Sequence, residues 1–253
     1  MPRYALKLEY DGTGFVGWQM QDNGLSIQQV LESATAKLNA NTPTPVTVAG
    51  RTDAGVHAEA QIAHVDYATD WPPNKLREAL NFHMKPHRVV VRAAALVPND
   101  FSARFSAIGR AYRYRILNRR ARPALQEGQV WHVQRPLDVP AMHEAAQTLL
   151  GRHDFTSFRA AACQAKSPLR TLDCLDVTHT TETIEFTVEA RSFLHHQVRN
   201  MVGTLKLVGD GTWPITRIAE ILAARDRSQA GPTAPASGLT MLAVRYPTEI
   251  FPV

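Results

Sequence analysis

Apolar and polar residues alternate from the start of the chain. Tyr4, Leu6 and Leu8 fall on one side and Ala5, Lys7 and Glu9 on the other, which predicts a strand that Asp11-Gly12-Thr13-Gly14 ends. From Ser26, a suitable N-cap, the pattern changes. Ile27, Val30, Leu31, Ala34 and Leu38 recur at helical spacing and predict a helix through Asn39. A β-prone run from Pro45 to Val48 and an apolar one from Ile62 to Val65 predict two more strands around an irregular stretch. Trp71-Pro72-Pro73-Asn74 marks a turn and a helix entry, with Leu76, Ala79, Leu80 and Phe82 as core positions. Val89 to Val97 predicts a further strand. The first hundred residues therefore follow the order β, α, β, β, α, β, a ferredoxin-like grammar.

The second half repeats that grammar without evident sequence identity. From Gly109 to Ile116 alternation is strict, with Arg110, Tyr112, Tyr114 and Ile116 on one face and Arg113 and Arg115 on the other. Such a strand suits tyrosines on a core and arginines in water, and it equally suits base stacking with phosphate contacts. A helix is expected from about Pro140 to Leu150, a loop from Ala160 to Lys166, and a hairpin from Thr171 to His179 and Thr183 to Arg191. Leu194, Val198, Met201, Val202 and Leu205 then recur at helical spacing. Ile215 to Ala224 predicts a last helix, and Leu239 to Tyr246 a closing strand after a Pro/Gly loop.

Composition narrows the class. With 253 residues, 44% hydrophobic and 20% charged, the chain can bury a sizeable core. Its net charge of +5 suits a polyanionic partner such as nucleic acid. Cys163 and Cys174 are too few for a disulfide framework and lack zinc-site spacing, so reduced thiols in a cytoplasmic protein are expected. The N-terminus has no apolar run of signal-peptide type, and no stretch is long enough to span a membrane. The Asp11–Gly14 loop is not followed by G-K-[ST] or G-x-G-x-x-G, so no nucleotide cofactor is expected.

Candidate chemistry concentrates in Ala49-Gly50-Arg51-Thr52-Asp53-Ala54-Gly55-Val56-His57-Ala58. Small residues leave room around one carboxylate, one guanidinium, one hydroxyl and one imidazole, more than a plain strand connection needs. In the later helical stretch Arg199 falls on or near the buried side, where a cation is costly unless paired; Asp53 is the obvious candidate. The neighbouring His195-His196 invites a metal reading. Consecutive side chains on a helix do not converge, so no metal is expected.

The string G-R-T-D-A-G-V-H-A resembles the active-site signature of the tRNA pseudouridine synthase A family. Phe15-Val16-Gly17-Trp18-Gln19, Arg110-Ala111-Tyr112-Arg113-Tyr114, His153-Asp154-Phe155-Thr156-Ser157-Phe158 and the stretch from Ala230 to Leu239 resemble further elements of that family. The resemblance spans nearly the whole chain. It implies an α+β pseudouridine synthase fold: two ferredoxin-like α/β halves, residues 1–106 and 107–253, around a central mostly antiparallel sheet with a cleft between them. It also implies isomerisation of uridine to pseudouridine at positions 38, 39 and 40 in the anticodon stem-loop of tRNA, by a homodimer and without cofactor.

In that reading Asp53 is the catalytic nucleophile. A carboxylate of ordinary pKa, ~3.9, is ionised at neutral pH, and Arg199 would keep it so in a dry pocket. Tyr112, taken before Tyr114 as the first tyrosine of its motif, corresponds to the residue stacking on the target base. Arg51 corresponds to the arginine that helps flip the target out, and Phe15 to Gln19 would lie on the RNA-facing side. Attack at the ribose C1′, proton removal at C2′ to a glycal, and attack at C6 of the base all remain open on the sequence. Two other classes also use these residues. A non-catalytic RNA-binding module would not depend on Asp53, and a nucleoside hydrolase would need a second carboxylate, for which Asp66 and Glu59 are nearby in sequence.

Overall fold

The computed structural model describes residues 1–251. In chain order its elements are β1 (Arg3–Tyr10), α1 (Ile27–Lys37), β2 (Thr47–Val48), β3 (His57–Asp66), α2 (Pro73–His83), β4 (Val89–Val97) and β5 (Gly109–Asn118). There follow β6 (Trp131–Val133), α3 (Val139–Gln147), β7 (Gly151–Asp154), β8 (Leu169–His179), β9 (Thr183–Ala190), α4 (Gln197–Gly209), α5 (Arg217–Ala224) and β10 (Leu239–Arg245). The fold is α+β with mostly antiparallel strand pairing, as expected. The chain forms two units, Met1–Gly109 with the segment from Thr240 onward, and Arg110–Leu239. The expected second half ran to the C-terminus. Most of β10 instead joins the first unit, because it pairs with β3.

In the first unit the strands lie in the order β4-β1-β3-β10, with β2 also on β3. β1 is antiparallel to both neighbours, Leu6 standing opposite Ala63 and Ala94. β10 runs parallel to β3, pairing Thr240 with His57 and Met241 with Ala58. The first residues of β3 are thus gripped on both sides, since Ala58 also pairs with Tyr10 of β1. Ser26 caps α1 by accepting from Gln29 N–H at 3.1 Å, and Ile27, Val30, Leu31 and Ala34 are buried. In α2 Leu76 and Leu80 are buried, but Phe82 is 69% exposed, against expectation. At 100° per residue Phe82 lies about 200° round the helix from Leu80, off the apolar stripe.

In the second unit the order is β5-β9-β8-β7, with β6 parallel to β5. Tyr112 pairs with Val188, Tyr114 with Phe186 and Ile116 with Ile184. Asp138 caps α3 through Ala141 N–H at 3.0 Å, and α3 packs on β8 and α4. Val198, Met201, Val202, Leu205 and Val208 bury one side of α4. That helix begins at Gln197, so Leu194, His195 and His196 precede it. β7 was not foreseen, since Gly-Arg-His-Asp carries no alternation. Among the described residues, no helix is long and apolar enough to cross a membrane.

Candidate active site

The Asp53 loop joins β2 to β3 and is held by its backbone. Ala49 N–H donates to Ile62 O at 2.8 Å, and Trp18 N–H donates to Thr52 O at 3.0 Å. Val56 N–H donates to Asp53 O at 3.2 Å, closing a turn whose third residue, Gly55, has φ +77°. Beneath it lies a buried polar chain. The Tyr10 hydroxyl and Thr52 Oγ1 are 2.8 Å apart, and Gln61 Nε2 donates to Gly50 O at 2.7 Å and to the Tyr10 hydroxyl at 3.4 Å. Burial pushes the Tyr10 phenol up to about 12, against the opposing hydrogen bonds from Thr52 and Gln61. Each of these groups has partners, as buried polar groups require.

Two glycines let the loop settle on the segment before α1. A Cβ on Gly12 would overlap Val56 O, and one on Gly17, at φ +104°, would stand 2.8 Å from Thr52 O and 3.0 Å from Ala54 N. Next to them Trp18 is 2% exposed and Phe15 9%, with Trp18 6.2 Å from the Tyr10 ring. Phe15 and Trp18 are thus packing residues under the loop.

At the loop's exit, His57 Nδ1 stands 3.0 Å from Gly12 N–H and 3.1 Å from Asp11 Oδ1. The Gly12 N–H has a fixed direction and can only donate, so Nδ1 is its acceptor. Burial alone would raise the Asp11 carboxyl. Hydrogen bonds from Thr13 and Arg88, with His57 alongside, outweigh that and hold it below the ordinary carboxylate value.

The result is a rigid loop that presents chosen side chains. Thr52 and His57 are buried, Asp53 is half-buried and Arg51 is exposed. Of the two candidate second carboxylates of a hydrolase, Asp66 is otherwise engaged: Arg3 grips it with Nε at 2.7 Å and Nη2 at 2.8 Å.

In the other unit the two tyrosines of β5 part company. Tyr114 is fully buried, donates to Pro235 O at 2.8 Å and meets Trp131 and Phe186 edge-on. Burial raises its phenol far above the ordinary value. Tyr112 is 9% exposed and lies edge-on to Phe193 at 5.2 Å. Arg199, half-buried on α4, donates from Nε to Ala234 O at 2.8 Å, and Ala234 N–H returns a bond to Arg199 O at 3.1 Å. The 230–238 loop is clamped to α4 by more than this. Asn200 Oδ1 accepts from Thr233 Oγ1 at 2.7 Å and Arg227 Nη2 at 3.2 Å, and Gly231 N–H donates to Thr204 Oγ1 at 3.0 Å.

His195 and His196 need a correction. They stand before the helix, His196 at φ +62°, with ring centroids 4.0 Å apart. The argument that helical neighbours diverge, on which the expectation of no metal rested, does not apply to them. Sequence reasoning also missed Tyr10, Gln61, Asn200 and Arg227. All are polar groups on otherwise apolar elements or beside them, the one signal that could have found them.

Asp53 thus stands half-buried on a braced loop of an α+β unit. The chain matches the family model described as tRNA pseudouridine synthase over residues 7–106 and 145–247. It belongs to that family and is an isomerase that converts uridine to pseudouridine in tRNA. A protein of Acidiphilium cryptum named tRNA pseudouridine synthase A is 66% identical over 253 residues, covering 100% of this chain and 99% of its own. Proteins of that name from Paramagnetospirillum magneticum and Gluconobacter oxydans are 60% and 55% identical, over 97% and 98% of this chain and 96% and 91% of theirs.

Proposed function

We propose that the chain modifies uridines 38, 39 and 40 in the anticodon stem-loop, as a cytoplasmic homodimer, with Asp53 as the nucleophile. The observation that carries this is the Asp53 loop. Its backbone and Thr52 are fixed by buried partners while the Asp53 side chain stays half-buried. Such preorganisation holds a reacting group in place before substrate arrives.

The chemistry balances without an oxidant or reductant. The C1′–N1 bond breaks, the uracil turns, C5 bonds to C1′, C5 gives up its proton and N1 takes one. Arg199 is assigned as the cationic partner of Asp53. Tyr112 is assigned as the stacking group because Tyr114 is committed to the core. Arg51, exposed beside Asp53, is assigned to help flip the target base out of the stack, a cost that stacking and cationic contacts must offset.

Tritium release tests the reaction directly. With tRNA transcripts labelled at uridine C5, the wild-type protein should release tritium to water without releasing free uracil, and Asp53→Ala should release none. Free uracil would indicate a hydrolase. Tight binding with no release would indicate a binding module.

A further inference from the structure

Within the Arg110–Leu239 unit a hollow of about 580 Å³ is lined by Arg152, His153, Asp154, Ser167, Leu169 and Arg225, among others. Its charge is one-sided. Arg152 is exposed, and the Arg225 side chain is 69% exposed. Asp154 is the carboxylate among these residues, and its capacity is largely taken. Oδ1 accepts from Thr156 N–H at 2.9 Å and Thr156 Oγ1 at 2.6 Å, and Oδ2 lies 3.7 Å from Arg225 Nε. His153 points its Nε2 at Leu150 O, 2.6 Å away, rather than into a ligand position. Ser167 Oγ accepts from Leu169 N–H at 3.2 Å, which leaves its own proton to donate.

The rim is built on a further cation. Arg170 Nη1 donates to Ser167 O at 3.0 Å and to Leu169 O at 2.6 Å. Arg159, which acts electrostatically on Arg170, donates to Cys163 O at 3.3 Å. The next residue, Ala160, donates its N–H to His195 O at 2.9 Å. A row of arginines therefore leads from the hollow toward the entry of α4, the helix that carries Arg199.

We propose that this hollow is a phosphate-binding subsite holding the tRNA backbone at a distance from the target uridine. The inference rests on tRNA being the substrate. The two arginines of its lining, Arg152 and Arg225, against one engaged carboxylate match a phosphodiester chain. β7 lies three strand spacings from β5, about 14 Å, so the phosphate held is not that of the nucleotide stacked on Tyr112.

The test uses the double variant Arg152→Gln/Arg225→Gln and, separately, Ser167→Asp. The second places a negative charge on the rim while keeping an acceptor for Leu169 N–H. Binding of an unmodified tRNA transcript is titrated across a salt series, and pseudouridine formation is followed at varied tRNA. The double variant should bind about tenfold more weakly, with the salt slope reduced by about two, the loss falling on KM rather than kcat. Ser167→Asp should also weaken binding, with an unchanged melting temperature. Wild-type affinity and slope in both variants would overturn the subsite. Absence of pseudouridine from the wild-type reaction would instead sink the functional reading, which keeps the two failures distinct.

Discussion

The Asp53 loop and the 230–238 loop are both irregular and both anchored by buried polar groups, yet they are built for different tasks. The Asp53 loop hides its hydroxyl and backbone in the Tyr10–Thr52–Gln61 chain and leaves Asp53 half-buried and Arg51 exposed. The 230–238 loop does the reverse. It offers backbone carbonyls inward, where Ala234 O fixes Arg199 and Pro235 O fixes Tyr114. One loop presents a reactive side chain; the other holds side chains that belong to the helix and strand beside it. A reacting group can thus be positioned from below by its own loop, or from the side by a neighbouring one.

The largest effect should come from Asp53→Ala, which removes the proposed nucleophile without touching the buried brace. Activity should fall below detection while tRNA affinity and melting temperature stay near wild type. Retained activity in the purified variant would remove Asp53 from the catalytic role. Arg199→Ala should cost both activity and some stability, because Ala234 O loses its donor; a stable, fully active protein would break the assignment of Arg199.

Next come the glycines, which probe each loop's seat. Gly12→Ala sets a Cβ against Val56 O, and Gly203→Ala sets one against Pro232 O. Each should destabilise by ~3 kcal/mol, read from urea unfolding, because backbone cannot move aside as a flexible side chain can. Wild-type midpoints would mean that the loops are not seated as described.

Tyr10→Phe should lower stability by about 1–2 kcal/mol through loss of a buried hydrogen-bond partner, and reduce activity with it. The same residue sets a pH dependence. A phenol raised from 10 to about 12 stabilises the fold fully below its unfolded value, and that contribution disappears as pH rises from about 10 to about 12. Unfolding midpoints measured over that range should fall less steeply in Tyr10→Phe than in wild type. An equal slope would mean that Tyr10 does not contribute. The smallest effect should come from Tyr114→Phe, which should cost about 1 kcal/mol of stability through loss of the bond to Pro235 O.

Much of this was legible in the sequence because it is local. Ser26 as a cap, the strand from Val89 to Val97, the hairpin around Thr180 and the dense polar string around Asp53 are all written in neighbouring residues. What escaped depends on long-range partners. Gln61 looks like one polar residue in an apolar strand until Gly50 O and Tyr10 are brought to it. Phe82 is the exception: its offset of about 200° from Leu80 is already in the spacing, and only its hydrophobicity suggested core. His195 and His196 follow Leu194, which continues the helical spacing in sequence, yet the left-handed conformation of His196 starts the helix only at Gln197. β7 exists because β8 pairs with it, not because Gly-Arg-His-Asp favours a strand.

The most direct measurement is carbodiimide-dependent primer extension across the anticodon arm of unmodified tRNA transcripts, after incubation with the wild-type protein or Asp53→Ala. Stops at positions 38 to 40 with wild type, and none with Asp53→Ala, are the predicted result. Identical stops with both proteins, or none with wild type despite tight tRNA binding, would contradict the account.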